Sequence, residues 1–258
     1  IEVLQAALII STLQSSVHDI TTRRRVRVER HPLLVAVVRA SGALAQRRER
    51  GRCSWEEFVA EEVRIRLAVF TIAHDGHLCL FFNNPSQICV AEMIGDVPCR
   101  ENLFEAETAH EFDRLSAAEW PCKSLTMCQF ITTLSRAGRG VAQNFPTQIS
   151  VIQLQSVIWA LSGAVFTARI SLGESAQLNA VFRATESWKL LWIQELEEAK
   201  ARGMPLTGSR KHAAEICWLL QAIIKVAQTG DYESSYMRTF AGDSLIPLDE
   251  FIRKYKEL

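Results

Sequence analysis

Glycine and proline are scarce. The 258 residues hold twelve Gly and seven Pro, and long stretches carry neither. Sandwiches and barrels need such residues at frequent turns, so their scarcity favours helices. An excess of charge is also missing. The 29 Lys and Arg balance 29 Asp and Glu, so the whole molecule has no strong pull toward nucleic acid or anionic lipid. The seven cysteines, at 53, 79, 89, 99, 122, 128 and 217, form no CxxC and are odd in number. They read as reduced intracellular thiols and exclude a disulfide framework. No signal peptide and no apolar run of membrane-spanning length stands out, so no membrane partner is expected.

Chemical signatures are absent too. There is no GxGxxG, no GxxxxGKS or GxxxxGKT, no HExxH and no GxSxG, so no cofactor and no metal is expected. No DDxxD-type cluster of a diphosphate-binding terpene synthase occurs, although an all-helical class would permit one.

What remains is apolar periodicity. Apolar residues make up 48% and charged residues 22%, ordinary for a globular chain. "IEVLQAALIISTLQSSVHDI" reads as a helix with Val3, Leu4, Ala7, Leu8, Leu13 and Val17 as its stripe. "TTRRRVRVERH" reads as a solvated basic connector, and "PLLVAVVRASGALAQRRER" as a second apolar helix opened by Pro32. Ser54 is a candidate N-cap for a long third helix. Trp55, Phe58, Val59, Val63 and Leu67 form its first stripe, and Glu62–Arg66 an i,i+4 pair on the other side. From Ala68 to Phe82 it is apolar nearly all round, which means burial, and Pro85 stops it. A loop with short helical turns follows, then a helix ended by Gly138, three long helices and a short helix in "PLDEFIRKYKEL". The expected fold is all-α: one multi-helix domain of long amphipathic helices over residues 1–258. The chain begins at Ile1 inside a helical pattern and reads as a fragment.

Charge is uneven locally. Ten Arg and two Glu lie between Thr21 and Arg52. Without interleaved aromatics or a DNA-reading module, this run reads as a solvated connector or a surface for an acidic partner. Paired acids such as Glu61–Glu62 and Glu197–Glu198 read as solvent faces.

The third helix carries the one stretch with chemistry, "AHDGH". His74 and His77 share a helical face. They could supply two corners of a zinc site, but no third ligand is in sight. A buried, hydrogen-bonded structural role is the plainer reading. Asp75 inside an apolar helix demands a partner, such as an Arg from another helix.

Three stretches then follow in order: "WEEFVAEEVRIRLAVFTIAHD", "LFFNNPS" and "PCRENLFEA". This order, from Trp55 to Ala106, resembles the fungal-specific transcription factor domain, the middle homology regulatory region. Arg64 and Arg66 match the outer members of its arginine triplet, with Ile65 replacing the middle one. Asp75 matches the family's Asp, and Phe81, Phe82 and Asn83 its aromatic turn. Asn84 stands where a basic residue is usual, Ser86 where a second Pro is common, and Phe104 where Trp is frequent. The resemblance implies an all-α regulatory domain of a nuclear protein, with Arg64, Arg66, Asp75 and Asn83 as structural motif residues. It implies protein partners (a second copy or a coactivator), in some members a small-molecule effector, and no catalytic residues. The family's zinc-based DNA-binding module is absent from this chain, so sequence-specific DNA binding by it is not expected.

A rival reading stays open. On the same scaffold a stand-alone, cytoplasmic protein would bind or convert a small molecule as a lyase, isomerase or cyclase, in an apolar pocket. His74, Asp75 and His77 would be its acid–base groups, and Phe81, Phe82 and Trp159, with the histidines, its ligand walls. A Cys-rich zinc module upstream in the reading frame would support the regulatory reading. A complete frame without one, among genes of secondary metabolism, would support the rival.

Overall fold

The computed structural model describes the chain except residues 49–52, 120–124, 138–140, 146–148, 172–174, 202, 204–207 and 232, and the side chains of 118, 119, 142 and 209. Gly138 as a helix stop, Cys122, and the part of the basic run at 49–52 therefore lie outside the described residues. Among the described residues the structure is all-α, and the one strand-type pairing is an isolated bridge between Asp96 and Thr126.

The N-terminal part comprises α1 (Glu2–Ser15), α2 (Ile20–Arg25), a π-helical turn (Val26–Arg30) and α3 (His31–Ala40). The stretch expected to be a solvated connector is thus helical throughout. Asp19 caps it, its carboxylate accepting from the Thr21 and Thr22 amides. Pro32 lacks an N–H and would crowd the preceding turn. The wide turn before it absorbs this, with the His31 N–H reaching back to the Val26 carbonyl. Arg23, Arg27, His31, Leu34 and Val38 all face inward and are buried.

The expected stripe of α1 is also corrected. Leu8, Ser11 and Ser15 are its buried residues, while Val3, Leu13 and Val17 are 81, 64 and 42% exposed. The inward face carries two serines beside Leu8, and one of them meets an imidazole. Ser11 Oγ lies 3.1 Å from His74 Nε2.

Helix α4 (Trp55–Phe82) is the spine. Ser54 and Glu57 form a reciprocal capping box at its start, worth about 1 kcal/mol. Its stop is Asn83 in the left-handed region, at φ 52°, two residues before the expected Pro85. Short helices α5 (Glu101–Phe104) and α6 (Ala109–Glu119) and the helix α7 (Met127–Arg136) lead to α8 (Val151–Ile170), α9 (Ser175–Ala201) and α10 (Ala213–Thr229). Gly230 ends α10 at φ 70°. Two short helices, α11 (Ser235–Arg238) and α12 (Ile246–Tyr255), close the chain.

The core is built from α4 on α8, α8 on α9 and α10, and α9 on α7. Both α4 and α8 are long and apolar enough to cross a membrane by length and composition, contrary to the reading from sequence, and most of each apolar stretch is buried inside the protein. Gly76 makes their contact close. A Cβ at that position would sit 2.1 Å from the Trp159 carbonyl oxygen, so any side chain would force the two backbones apart. On the other side of α8, Trp188 is fully buried and its indole N–H donates to the Leu154 carbonyl at 2.8 Å.

Candidate functional site

Three buried polar nodes lie along α4, and each receives a segment from far away in the sequence. The first is Glu62, which is fully buried. The solvent-face reading of Glu61–Glu62 is therefore wrong for Glu62. Its carboxylate accepts from Arg48 at 2.6 and 3.0 Å, from Arg66 Nε at 2.9 Å and from the Cys99 amide at 3.0 Å. Two guanidinium groups and an amide offset the cost of burying the charge. The Arg66 guanidinium also lies 3.9 Å from the centroid of the Phe104 ring, a cation–π contact that an aromatic residue must supply. Burial, with the Glu62 charge nearby, pushes the Cys99 thiol up to about 12, which leaves it a poor nucleophile. Of the two motif arginines, Arg66 enters this node and Arg64 is exposed. Ile65, in place of the middle arginine, is core.

The second node is Asp75, 2% exposed. Its expected arginine partner is not there. Asp75 accepts from His31 Nε2 at 2.8 Å, Ser86 Oγ at 2.7 Å, the Gln87 amide at 3.0 and 3.1 Å and the Ile88 amide at 3.2 Å. It thereby fixes both α3 and the loop after α4. Gly163 on α8 leaves room for this, since a Cβ there would meet Ser86 Oγ at 2.9 Å. His31, fully buried, was hidden from sequence reasoning inside an arginine run. Its Nδ1 and that of His74 are buried without a protein partner, and the two rings meet edge to face with centroids 5.0 Å apart.

His74 and His77 do share a face, stacked with centroids 6.2 Å apart. Burial, aided by the neighbouring His31 and His77, pushes His74 down to about 2, and burial pushes His77 down to about 4. Both are neutral at ordinary pH, so neither is poised as an acid near pH 7. Among the described residues no group of three or more His, Cys, Asp or Glu side chains converges to hold a metal ion. The ligand-wall candidates do come together. His77 packs on Phe81, Trp159 and Phe82 with centroids 4.6, 5.9 and 6.1 Å away. His77, Phe81 and Trp159 keep part of their surface exposed, whereas Phe82 is buried.

The third node is Asn83. Its amide nitrogen donates to the Tyr236 carbonyl at 2.7 Å and to the Thr239 carbonyl, and its oxygen accepts from Arg169. Tyr236 returns a hydrogen bond to the Leu80 carbonyl at 2.7 Å. Beside it, Asn84 accepts from Arg27 at 3.3 Å, so a basic group reaches this position from another helix. Arg27 and Arg24 both pair with Asp243. The C-terminal segment is thus tied to the end of α4 and to the N-terminal helices at once.

The chain is 26% identical over 204 residues to Transcription factor verF of Penicillium polonicum, a match that covers 74% of this chain and 28% of that protein. This chain therefore spans less than a third of that relative's length. No family model and no solved structure matches it. The similarity to a fungal transcription factor is distant and runs through most of the helical architecture described above.

Proposed function

We propose that this chain is the helical regulatory and protein-interaction region of a fungal transcription factor, of the fungal-specific regulatory domain type, working in the nucleus with a DNA-binding module that this chain does not carry. One observation carries the reading. Three of the four polar residues through which the sequence resembles that domain fall on the nodes of α4, Arg66 at Glu62, Asp75 at His31 and the Ser86 loop, and Asn83 at the C-terminal segment, while Arg64 is exposed. These three hold segments together and are occupied in doing so. Asp75 has four protein donors, and His74 is neutral and enclosed. The distant relative is itself named a transcription factor, which supports the same reading.

The test joins this chain to a DNA-binding module that lacks a regulatory region and measures a reporter. Reporter output that responds to the joined chain, and to Asp75→Ala within it, is expected. The chain alone, titrated with a panel of DNA duplexes at moderate salt, should select none. Its arginines give at most weak binding that salt abolishes. Sequence-selective affinity at moderate salt, or a reporter indifferent to the joined chain, would count against the proposal.

The partly exposed cluster of tilted rings formed by His77, Phe81 and Trp159 favours a second role within this one, recognition of an apolar effector. A ligand of that kind should raise the melting temperature of the wild-type chain and leave His77→Ala unmoved. A ligand-dependent rise that persists in His77→Ala would place recognition elsewhere.

A further inference from the structure

We propose that Arg23, Arg24 and Arg27 form a binding site for a phosphate dianion, and that Asp243 on the C-terminal segment fills this site until such an anion displaces it. The inference does not rest on the transcriptional reading.

Charge is the first argument. Arg24 donates to one oxygen of Asp243 through Nε at 2.8 Å and Nη2 at 2.6 Å, and Arg27 donates to the other oxygen. Arg27 also reaches Asn84 Oδ1 at 3.3 Å, and Arg23 lies by the Phe82 ring, 5.7 Å from its centroid. Three guanidinium groups thus gather at the end of α4 around one carboxylate. Among the described residues no second carboxylate pairs with any of them. Asp19 is spent on the Thr21 and Thr22 amides, and Glu29 is exposed. Positive charge is therefore left over where water reaches it least, since Arg23 and Arg27 are 8 and 5% exposed. The Nε atoms of both are buried without a hydrogen-bond partner, which costs energy until an acceptor arrives. A phosphate dianion matches this excess better than one carboxylate does, and the guanidinium fork is shaped to hold it.

Access is the second argument. At the rim, the Arg24 side chain is 67% exposed and that of Asp243 16%. Asp243 rides on a strap that is itself at the surface, exposed from Arg238 to Ala241. The strap is held by its Thr239 carbonyl, which accepts from Asn83, and by the Ala241 and Gly242 amides, which donate to the Asn83 and Phe82 carbonyls at 2.9 Å. Ala241 takes the left-handed region to do this, at φ 55°, a conformation that its Cβ disfavours. An anion that enters beside Arg24 takes the place of Asp243, and the strap then loses its ion pairs and leaves the end of α4. Binding of the anion and release of the C-terminal segment are one equilibrium.

Calorimetric titration of the whole chain with inorganic phosphate reads the site, at constant ionic strength and about pH 8, where phosphate is a dianion. Hydrogen exchange at the Ala241 and Gly242 amides reports the strap. Saturable binding with a Kd below about 1 mM is expected, about tenfold or more tighter than acetate, with faster exchange at both amides. Asp243→Asn removes the resident charge and should bind phosphate about tenfold more tightly than the wild type. An ion pair that only holds the fold together gives the reverse, a less stable variant with no gain in binding, and that result would overturn the proposal. Arg24→Gln, at an exposed position that folding does not need, should bind about tenfold more weakly. Arg25→Gln, exposed on the same helix and outside the cluster, should bind as the wild type does. Glycerol 3-phosphate and phosphatidic acid vesicles separate the sources of the phosphate group. Tighter binding of glycerol 3-phosphate than of inorganic phosphate assigns the site to a phosphorylated metabolite, and binding of the vesicles alone assigns it to a lipid headgroup. No saturable binding in any of the three arms would overturn the proposal, as would binding that Arg24→Gln leaves unchanged.

Discussion

Replacing Asp75 by alanine should cost about 4 kcal/mol of folding stability. Four groups donate to this carboxylate: the His31 imidazole, the Ser86 hydroxyl and the amides of Gln87 and Ile88. Two of them have recourse when it is gone. Ser86 Oγ also lies 3.0 Å from the Ile88 carbonyl, and Gln87 is only partly buried, so water can reach it. His31 and the Ile88 amide have none, because both residues are buried. Each stranded buried donor costs about 1–3 kcal/mol, and two of them together cost about 4. In a chain of this length each kcal/mol moves the melting temperature by about 2–4 °C, so a fall of roughly 8–16 °C is expected. Thermal and urea unfolding, followed by circular dichroism, measure it. Asp75→Asn keeps an acceptor oxygen and should lose about half as much. His31→Ala leaves Asp75 its three other donors and should cost about 2 kcal/mol. An Asp75→Ala variant within about 1 kcal/mol of wild type would mean that these donors are solvated, and the node would not be what fixes α3 and the loop to α4.

The other expectations follow from the same packing. Gly76→Ala should destabilise by about 3 kcal/mol or more in urea unfolding, since its Cβ meets backbone, whereas Gly42→Ala, at φ 74° with open space around it, should lose only about 1 kcal/mol to left-handed strain. Glu62→Gln should cost about 3 kcal/mol by leaving Arg48 and Arg66 short of a partner. Stability should rise with pH between roughly 4 and 6.5. The folded state holds His77 and His74 neutral well below the ordinary value of 6.5, so in this window the unfolded chain binds more protons and folding weakens as pH falls. Each such histidine gives a slope of about 1.4 kcal/mol per pH unit. His77→Gln should therefore flatten the stability profile by one proton, and an unchanged slope would show that His77 is not protected from protonation.

The helices were legible wherever one face was buried and the other wet. In α10, Ala213, Ile216, Cys217, Leu220, Ile223, Ile224 and Ala227 recur at helical spacing and all are buried, and Ser54 caps α4 as its sequence suggests. Reading failed where polar groups were buried. Arginine in a run looks solvated, yet Arg23 and Arg27 are enclosed because Phe82 and Asp243 come to meet them. The α1 stripe failed for the opposite reason. Its inward Ser11 faces an imidazole, and most of its apolar residues, Leu8 excepted, face outward.

The candidate site was legible by halves. A buried carboxylate demands a donor, so Asp75 was conspicuous, but that demand does not say which donor. The answer lay 44 residues back at His31 and eleven residues ahead at Ser86. Glu62 and Asn83 found their partners in the same way, at Arg48 and at the segment from Tyr236. The reason is geometric. At about 100° per residue, Glu62 and Asp75 lie roughly 220° apart around α4, and Asp75 and Asn83 roughly 80° apart. The nodes therefore look out in different directions, and a different part of the chain docks on each. Beyond Arg66 nearly all of α4 is enclosed, Phe70 excepted, so over that half periodicity could report little more than burial. What survives in the sequence is the order of polar residues along an apolar helix. That order can be recognised without its cause, because each node shows one member of a pair whose other member sits elsewhere in the chain.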